Sequence, residues 1–287
     1  MNRLLSDKKL HWALIGPAVI LKRTRKSRRI PNLIRPKTFN EKILHRILFD
    51  RRDFLREFSG KIESRKYVLD KVADPSLLID LVGTARDSHE LCKLNLPSKF
   101  IVKSNHMSGR TFICDGSSPV DIESLGKMIS TWCKESSRLQ WGYQHVEQTA
   151  VIEHLLETES GIPNDYKFFC YSGRVHFVQV DGSRFSDHRR DFFDPAWNHI
   201  PAVLSYRNEP TPPSRPAQLN QMIQIAEAVS AGIDFVRVDL YEVGDQIKFG
   251  ELTCYPGSGM EVFVPRAWDE VFGRPWIMTT AGHAPRP

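Results

Sequence analysis

An α+β fold built mainly on antiparallel strands is what the 287-residue sequence predicts. Three observations carry the prediction. Apolar-alternating runs of strand length recur from Lys99 onward, as half-buried strands do. Some are joined by connections as short as Ser172-Gly173 or Gly244-Asp245, too short for the crossover a parallel pair needs. Amphipathic helical patterns are interspersed with them, and the part before Lys99 is mostly helical, which together describe an α+β architecture.

Element by element, residues 1–36 form a basic arm. Thr38-Phe39-Asn40-Glu41 is a capping box that opens a helical pattern through Ile43, Leu44, Ile47, Leu48 and Phe54. A second helix is expected over Ser64 to Lys71 and a third near Asp87 to Leu94, so residues 37–98 read as a supporting helical part. Phe100 to Lys103 and Thr111 to Cys114 are strands flanking the loop Ser-Asn-His-Met-Ser-Gly-Arg. Leu125, Met128, Ile129 and Trp132 mark a helix from Asp121 to Lys134. Strands follow at Ala150 to Glu153, Tyr166 to Tyr171 and Val175 to Val180. Residues 201–216 hold five prolines and read as an irregular loop. A helix through Leu219, Met222, Ile223, Ala226 and Val229 leads into the hairpin that ends near Gly259. No internal repeat is found.

Composition narrows the function classes. Apolar residues at 41% and charged residues at 26% are ordinary for a soluble globular chain. Five scattered cysteines without CxxC spacing predict free thiols in a reducing compartment and no zinc site. The net charge of +6 is uneven, because residues 1–40 hold eleven Lys or Arg against one acid and the rest is net acidic. The apolar run Trp12 to Leu21 is too short to span a bilayer, and no signal-peptide cleavage pattern follows it. The run reads as an apolar turn, and the basic stretch beside it either as a solvated face or as a contact for an anionic membrane or polymer. Nucleic acid is disfavoured, since the body shows no basic-aromatic interleaving and no recognised module.

The chemistry-bearing residues lie on strands and on one loop. Asp239 and Glu251 sit on the two strands of the last hairpin. A three-residue loop, Gly244 to Gln246, places them opposite each other; a two-residue loop sets Asp239 against Gly250. Like charges directly opposite repel unless a cation lies between them. Lys103 and Lys167 each stand in an apolar strand, where lone lysines are ordinarily edge residues. The loop between the first two strands offers Ser108, Gly109 and Arg110. Two lysines and a loop of donors would cradle a polyphosphate, and a carboxylate pair would hold Mg²⁺ against it. The loop is not a Walker A sequence.

In this order, with Val151-Ile152-Glu153, Arg237-x-Asp239 and Gly250-Glu251-x-Thr253, the chain resembles the ATP-grasp superfamily. Thr38-Phe39-Asn40-Glu41-Lys42-Ile43, Asp165-Tyr166-Lys167-Phe168-Phe169, Phe235 to Tyr241 and Gly250 to Thr253 resemble its TupA-like branch, named for teichuronopeptide biosynthesis. The likeness runs from about Pro36 to Phe263. It implies an ATP-grasp fold with nucleotide between two α+β lobes, a small one over residues 99–152 with the phosphate loop and a large one over 153–287 with the metal-binding hairpin. It further implies that Lys103 and Lys167 contact ATP phosphates, that Glu153 with the backbone at His154 and Leu156 forms the adenine hinge, and that Ser108, Gly109 and Arg110 close over the phosphates. Arg237 would neutralise the transferring phosphoryl group, while Asp239 and Glu251 would bind Mg²⁺. Met107 departs from the usual loop glycine, and Thr253 from the superfamily's common asparagine.

The expected function is an ATP- and Mg²⁺-dependent carboxylate–amine ligase working through an acylphosphate, cytoplasmic or at the inner membrane face. Its substrate class, an amino acid or amine joined to an acidic sugar of a surface polysaccharide, follows only from the resemblance. Arg184, Arg189 and Arg190 either grip that acid or form a solvated loop. Two rival readings are an ATP-grasp kinase acting on a hydroxyl and a non-catalytic membrane- or polymer-binding module.

Overall fold

The computed structural model describes residues 2–137, 139–158, 161–182 and 187–278, the side chains of residues 2–12 and 14 excepted. In chain order, α1 (Asn2–Ser27), α2 (Phe39–Phe49), α3 (Phe54–Ser59) and α4 (Lys61–Val72) precede β1 (Leu81–Ala85) and the short α5 (Ser88–Leu91). Next come β2 (Phe100–Ser104), β3 (Thr111–Cys114), α6 (Ile122–Lys134) and β4 (Ala150–His154). The strands β5 (Asp165–Tyr171), β6 (Arg174–Gly182), β7 (Arg189–Phe193), β8 (His199–Ile200) and β9 (Val203–Leu204) follow. The last described elements are α7 (Leu219–Ser230), β10 (Phe235–Val243), β11 (Gln246–Thr253), β12 (Phe263–Val264) and α8 (Ala267–Gly273). Two compact units result, one of Met1–Arg52, Asn164–Glu242 and Leu252–Pro287, the other of Asp53–Pro163 and Val243–Glu251.

The larger sheet is antiparallel, with strand order β11-β10-β5-β6-β7-β8, and strands β5 to β8 with all but the last residue of β10 belong to the first unit. The core of that unit is aromatic: Phe39 touches Phe169, Phe235, Phe263, Phe272 and Trp276 ring to ring. The capping box forms as expected, Thr38 accepting from Glu41 N and Glu41 from the Thr38 backbone. Asn40 then bonds Asp269 through both backbone and side chain at 2.9 and 2.8 Å, and Lys42 Nζ donates to Gly273 O at 2.9 Å. Gly273 allows this approach, since a Cβ there would lie 2.5 Å from Lys37 O. The Thr-Phe-Asn-Glu-Lys motif is thus a packing device that fixes α2 against α8. Phe54 belongs to α3 and not to the first helical pattern, because that helix ends at Asp50, whose backbone is extended. The apolar run expected as a turn is helical instead: α1 continues through Pro17, with Gly16 and Val19 buried.

In the second unit a four-stranded sheet of order β1-β4-β2-β3 packs α6 against one face. Leu125, Ile129 and Trp132 of that helix join Val102, Ala150 and Ile152 in the core. Asp121 caps the helix by accepting from Glu123 N and Ser124 N, an arrangement worth about 1 kcal/mol. The third expected helix is only the four-residue α5.

Candidate functional site

In the first unit the candidate site is a row of acidic, basic and amide side chains carried by neighbouring strands. The register sets Asp239 of β10 opposite Lys167 of β5, Lys167 opposite Gln179 of β6, and Asp165 opposite Asp181. Asp181 in turn faces Arg190 of β7. Each of these six is at least nine-tenths buried. Lys167 Nζ reaches Asp239 Oδ2 at 2.8 Å and also pairs with Asp165. Arg237, two residues before Asp239 and on the same face, donates to both Asp239 oxygens at 2.7 Å and to Thr253 Oγ1 at 3.0 Å. Thr253 therefore positions the arginine.

Arg190 continues the row. Its Nε and Nη2 grip Asp181 at 2.6 and 3.0 Å, and its Nη1 meets Glu261 at 3.2 Å. Burial pushes the Asp181 carboxyl up, but the Arg190 hydrogen bonds and the charges of Lys167, Arg190 and His188 outweigh it and hold the group well below the usual carboxylate range. Arg190 is therefore a buried strand residue. Arg189 is also in β7, bonded to Asp187 at 3.0 Å, so of the two readings of these arginines the solvated loop does not hold for either. The run Arg-Arg-Asp looks solvated in sequence, and it is the cross-strand pairing with Asp181 that makes it a strand. Arg184 lies outside the described residues.

In the second unit Lys103 Nζ pairs with Glu153 Oε2 at 2.8 Å, while Arg65 holds the other Glu153 oxygen at 2.8 Å. Lys61 lies close to this pair and to Glu251. Burial pulls its ammonium down, against the carboxylate charges of Glu251 and Glu153, and it donates to Ser104 O at 2.8 Å. The loop after β2 has a fixed base and an open tip. Asn105 is buried and bonded to Ile62 N and Thr149 O, and His106 to Trp132 O and Glu135 O. Ser108, Gly109 and Arg110 are exposed, Gly109 at φ +74° with open space where a Cβ would stand, and Arg110 bonded to Glu135 at 2.8 Å. His154 N–H is already donated to Asp80 O, while Leu156 lies in an irregular, half-buried segment.

The last hairpin turns through two residues, Gly244 and Asp245, not three. Its burial alternation slips by one residue between Phe249 and Leu252, which leaves Glu251 and Thr253 partly exposed together. Asp165, Asp181, Gln179, Lys61 and Arg65 were missed by sequence reasoning. A carboxylate two residues before a strand lysine was the available signal for Asp165. Lys61 and Arg65 sit in a helix far along the chain from their partners and gave none. Among the described residues no cluster of three or more His, Cys, Asp or Glu could hold a metal by itself.

No curated protein sequence matches the chain. Solved structures that resemble it include the ATP-grasp ligase PsnB complexed with minimal precursor (12% identity, 70% of this chain and 53% of that one, TM-score 0.40). Another is D-alanine–D-alanine ligase from Bacillus anthracis (16%, 76% and 65%, TM-score 0.45). A third is N5-carboxyaminoimidazole synthase from Aspergillus clavatus with ADP and 5-aminoimidazole ribonucleotide (14%, 69% and 44%, TM-score 0.42). The chain thus spans roughly half to two thirds of their length. The model of the TupA-like ATP-grasp family matches residues 41–276, most of the sequence, and the chain belongs to that family.

Proposed function

We propose that the protein is an ATP- and Mg²⁺-dependent carboxylate–amine ligase that forms an amide through an acylphosphate. The observation that carries this reading is Asp239, buried in the sheet and held by both Lys167 and Arg237. Buried ion pairs are weak stabilisers, because desolvation offsets their attraction. A sheet needing only stability would be served as well by apolar residues. Two cations and a carboxylate on adjoining strands instead suit a nucleotide's phosphates and its metal.

Mg²⁺ is ordinarily bound through one or two carboxylates with phosphate and water completing its shell, and Glu251, partly exposed, and Asp239, once a nucleotide's phosphates take over Lys167 and Arg237, offer that number. Asp239 and Glu251 would hold it, and it would screen charge on the transferring phosphoryl group. Lys103 and Lys167 neutralise phosphate oxygens, and Arg237 steadies the phosphoryl group in flight. Ser108, Gly109 and Arg110 offer donors from the loop tip. Glu153 anchors Lys103, and the backbone near His154 and Leu156 takes the adenine edge. A substrate carboxylate oxygen attacks the γ-phosphorus as the bond to the β,γ-bridging oxygen breaks, releasing ADP. The amine nitrogen then attacks the acyl carbon, phosphate leaves, and the nitrogen loses its proton. Positioning and charge neutralisation supply the catalysis.

For substrates we propose an amino acid or amine and an acidic sugar of a cell-surface polysaccharide, joined in the cytoplasm at the inner membrane face, with Arg184 and Arg189 gripping the acid; Arg190, committed to Asp181 and Glu261, is withdrawn from that role. Calorimetric titration of ATP with and without Mg²⁺, on wild type and Glu251→Gln, tests the site. Metal-dependent binding that weakens in the variant supports it, and no binding of Mg-ATP to wild type rejects it. Hydroxylamine added with a uronic acid then tests the reaction. A hydroxamate marks the acylphosphate, whereas ADP released without one marks a kinase.

A further inference from the structure

The segment from Leu21 to Lys37, the end of α1 and the connection toward α2, carries eight Lys or Arg and no acid. Arg23 is buried and committed, donating to Asp269 at 3.0 Å and to Glu261 O at 2.7 Å. The other seven, Lys22, Arg25, Lys26, Arg28, Arg29, Arg35 and Lys37, are exposed, and none makes a side-chain ion pair among the described residues. Among them stand three exposed aliphatics, Leu21 at 52%, Ile30 at 72% and Ile34 at 90%.

These aliphatics are not loose ends. Leu33 between them is buried, with its carbonyl on His45 Nδ1 at 2.9 Å. Asn32 Oδ1 accepts from Ile34 N and Arg35 N, and Asn32 N donates to Glu41 Oε1 at 2.8 Å. The loop is therefore built to turn Leu33 inward and Ile30 and Ile34 outward. Beside Ile30 lies a cavity of about 100 Å³ lined by Arg23, Arg29, Glu41, Arg266 and Asp269. Glu41 and Asp269 are already occupied by backbone and side-chain donors. Arg29 and Arg266 face no such partner.

We infer that this surface docks on an anionic lipid bilayer, with Ile30 and Ile34 inserted at the headgroup boundary, the exposed cations on acidic headgroups, and Arg29 with Arg266 receiving one headgroup phosphate. Isolated exposed apolar residues need no explanation. Aliphatics held outward within a field of unpaired cations combine the two contributions that bind a peripheral protein to lipid. A soluble polyanion would use the cations and leave Ile30 and Ile34 idle. The inference refines the membrane-face part of the reading above and is independent of the ligase chemistry.

The test is co-sedimentation of the full chain with vesicles of phosphatidylcholine containing 30% phosphatidylglycerol, and of phosphatidylcholine alone. Binding is expected only to the anionic vesicles and to weaken with salt. Arg25→Gln/Lys26→Gln/Arg28→Gln should lower it about 100-fold, from roughly one unit of kcal/mol per cation. Ile30→Asp/Ile34→Asp should lower it at least tenfold. Absence of binding to anionic vesicles, or full binding by the aspartate variant, overturns the inference. So does binding of a soluble polyglutamate that competes completely and is insensitive to the aspartates. Unchanged urea midpoints of the same variants show that they are folded, and Mg-ATP binding by wild type, measured separately, bears on the ligase reading alone.

Discussion

The two units hold their candidate groups in opposite ways. Asp239, Lys167, Asp181 and Arg190 lie within paired strands, buried and cross-linked, with registers that leave them little freedom. Ser108, Gly109 and Arg110 lie at the tip of a loop whose base is pinned by Asn105 and His106 and whose end is open to solvent. A fixed cluster suits charges that must be in place beforehand, because reorganisation is then already complete. An open tip on a fixed base suits a group that closes over a ligand. The contrast predicts that substitutions in the sheet change stability and function together, while those at the tip change function with little effect on stability.

The largest effect should come from Lys167→Met. It leaves Asp165 and Asp239 buried without their shared cation, and breaking a buried pair from one side costs about 3–5 kcal/mol. Urea denaturation should show a loss near 4 kcal/mol. A loss under about 1 kcal/mol would mean that the sheet is no more fixed than the loop.

Asp181→Asn comes next, with about 3 kcal/mol expected at pH 7 because Arg190 loses its main partner. Its pH dependence separates it from Asp269, in the same unit. The folded-state pKa of Asp181 is depressed, so its stabilisation is complete above the unfolded carboxylate value of about 3.9 and is lost as pH falls toward the folded one. Burial raises Asp269, so its contribution runs the other way, and stability declines as pH rises through about 4 toward its folded value. Denaturation curves from pH 2.5 to 6 should therefore flatten on the acid side in Asp181→Asn and not in Asp269→Asn.

How far these features were legible in the sequence follows from the range of the interactions that make them. The capping box, α6, and strands β2, β3, β5 and β10 rest on local pattern and lie within a residue or two of where periodicity sets them. β7 depends on a partner nine residues away through Arg190 and Asp181, so its charged start looked like solvated loop. Lys103, Lys167 and Asp239 stand out because charge interrupts an apolar strand. Asp181 and Lys61 do not, since their meaning comes from cross-strand register and from a helix distant in sequence. The helical continuation of α1 past Pro17 could not be read from a residue type that usually ends helices.

At the loop tip the effects should be smaller. Gly109→Ala forces an L residue to φ +74° in open space, costing about 1–2 kcal/mol of local strain. Stability should fall by no more than that, and nucleotide closure should slow in stopped-flow measurements. Unchanged closure kinetics would remove Gly109 as the flexible point.

The smallest effect on stability, and the sharpest test of the contrast, is at Arg110. Arg110 is exposed and its partner Glu135 half-buried, and pairs this open to solvent contribute only about 0–1 kcal/mol. Arg110→Gln should therefore leave the urea midpoint nearly unchanged. If the tip serves phosphate, the substitution should still weaken Mg-ATP binding, because a donor for the phosphates has gone. Glu135→Gln distinguishes this from a structural role. It releases Arg110 from competition, so nucleotide binding should hold or tighten, with the salt dependence of an exposed cation. Equal weakening in both variants would show that the ion pair itself positions the loop, and the tip would then be as fixed as the sheet.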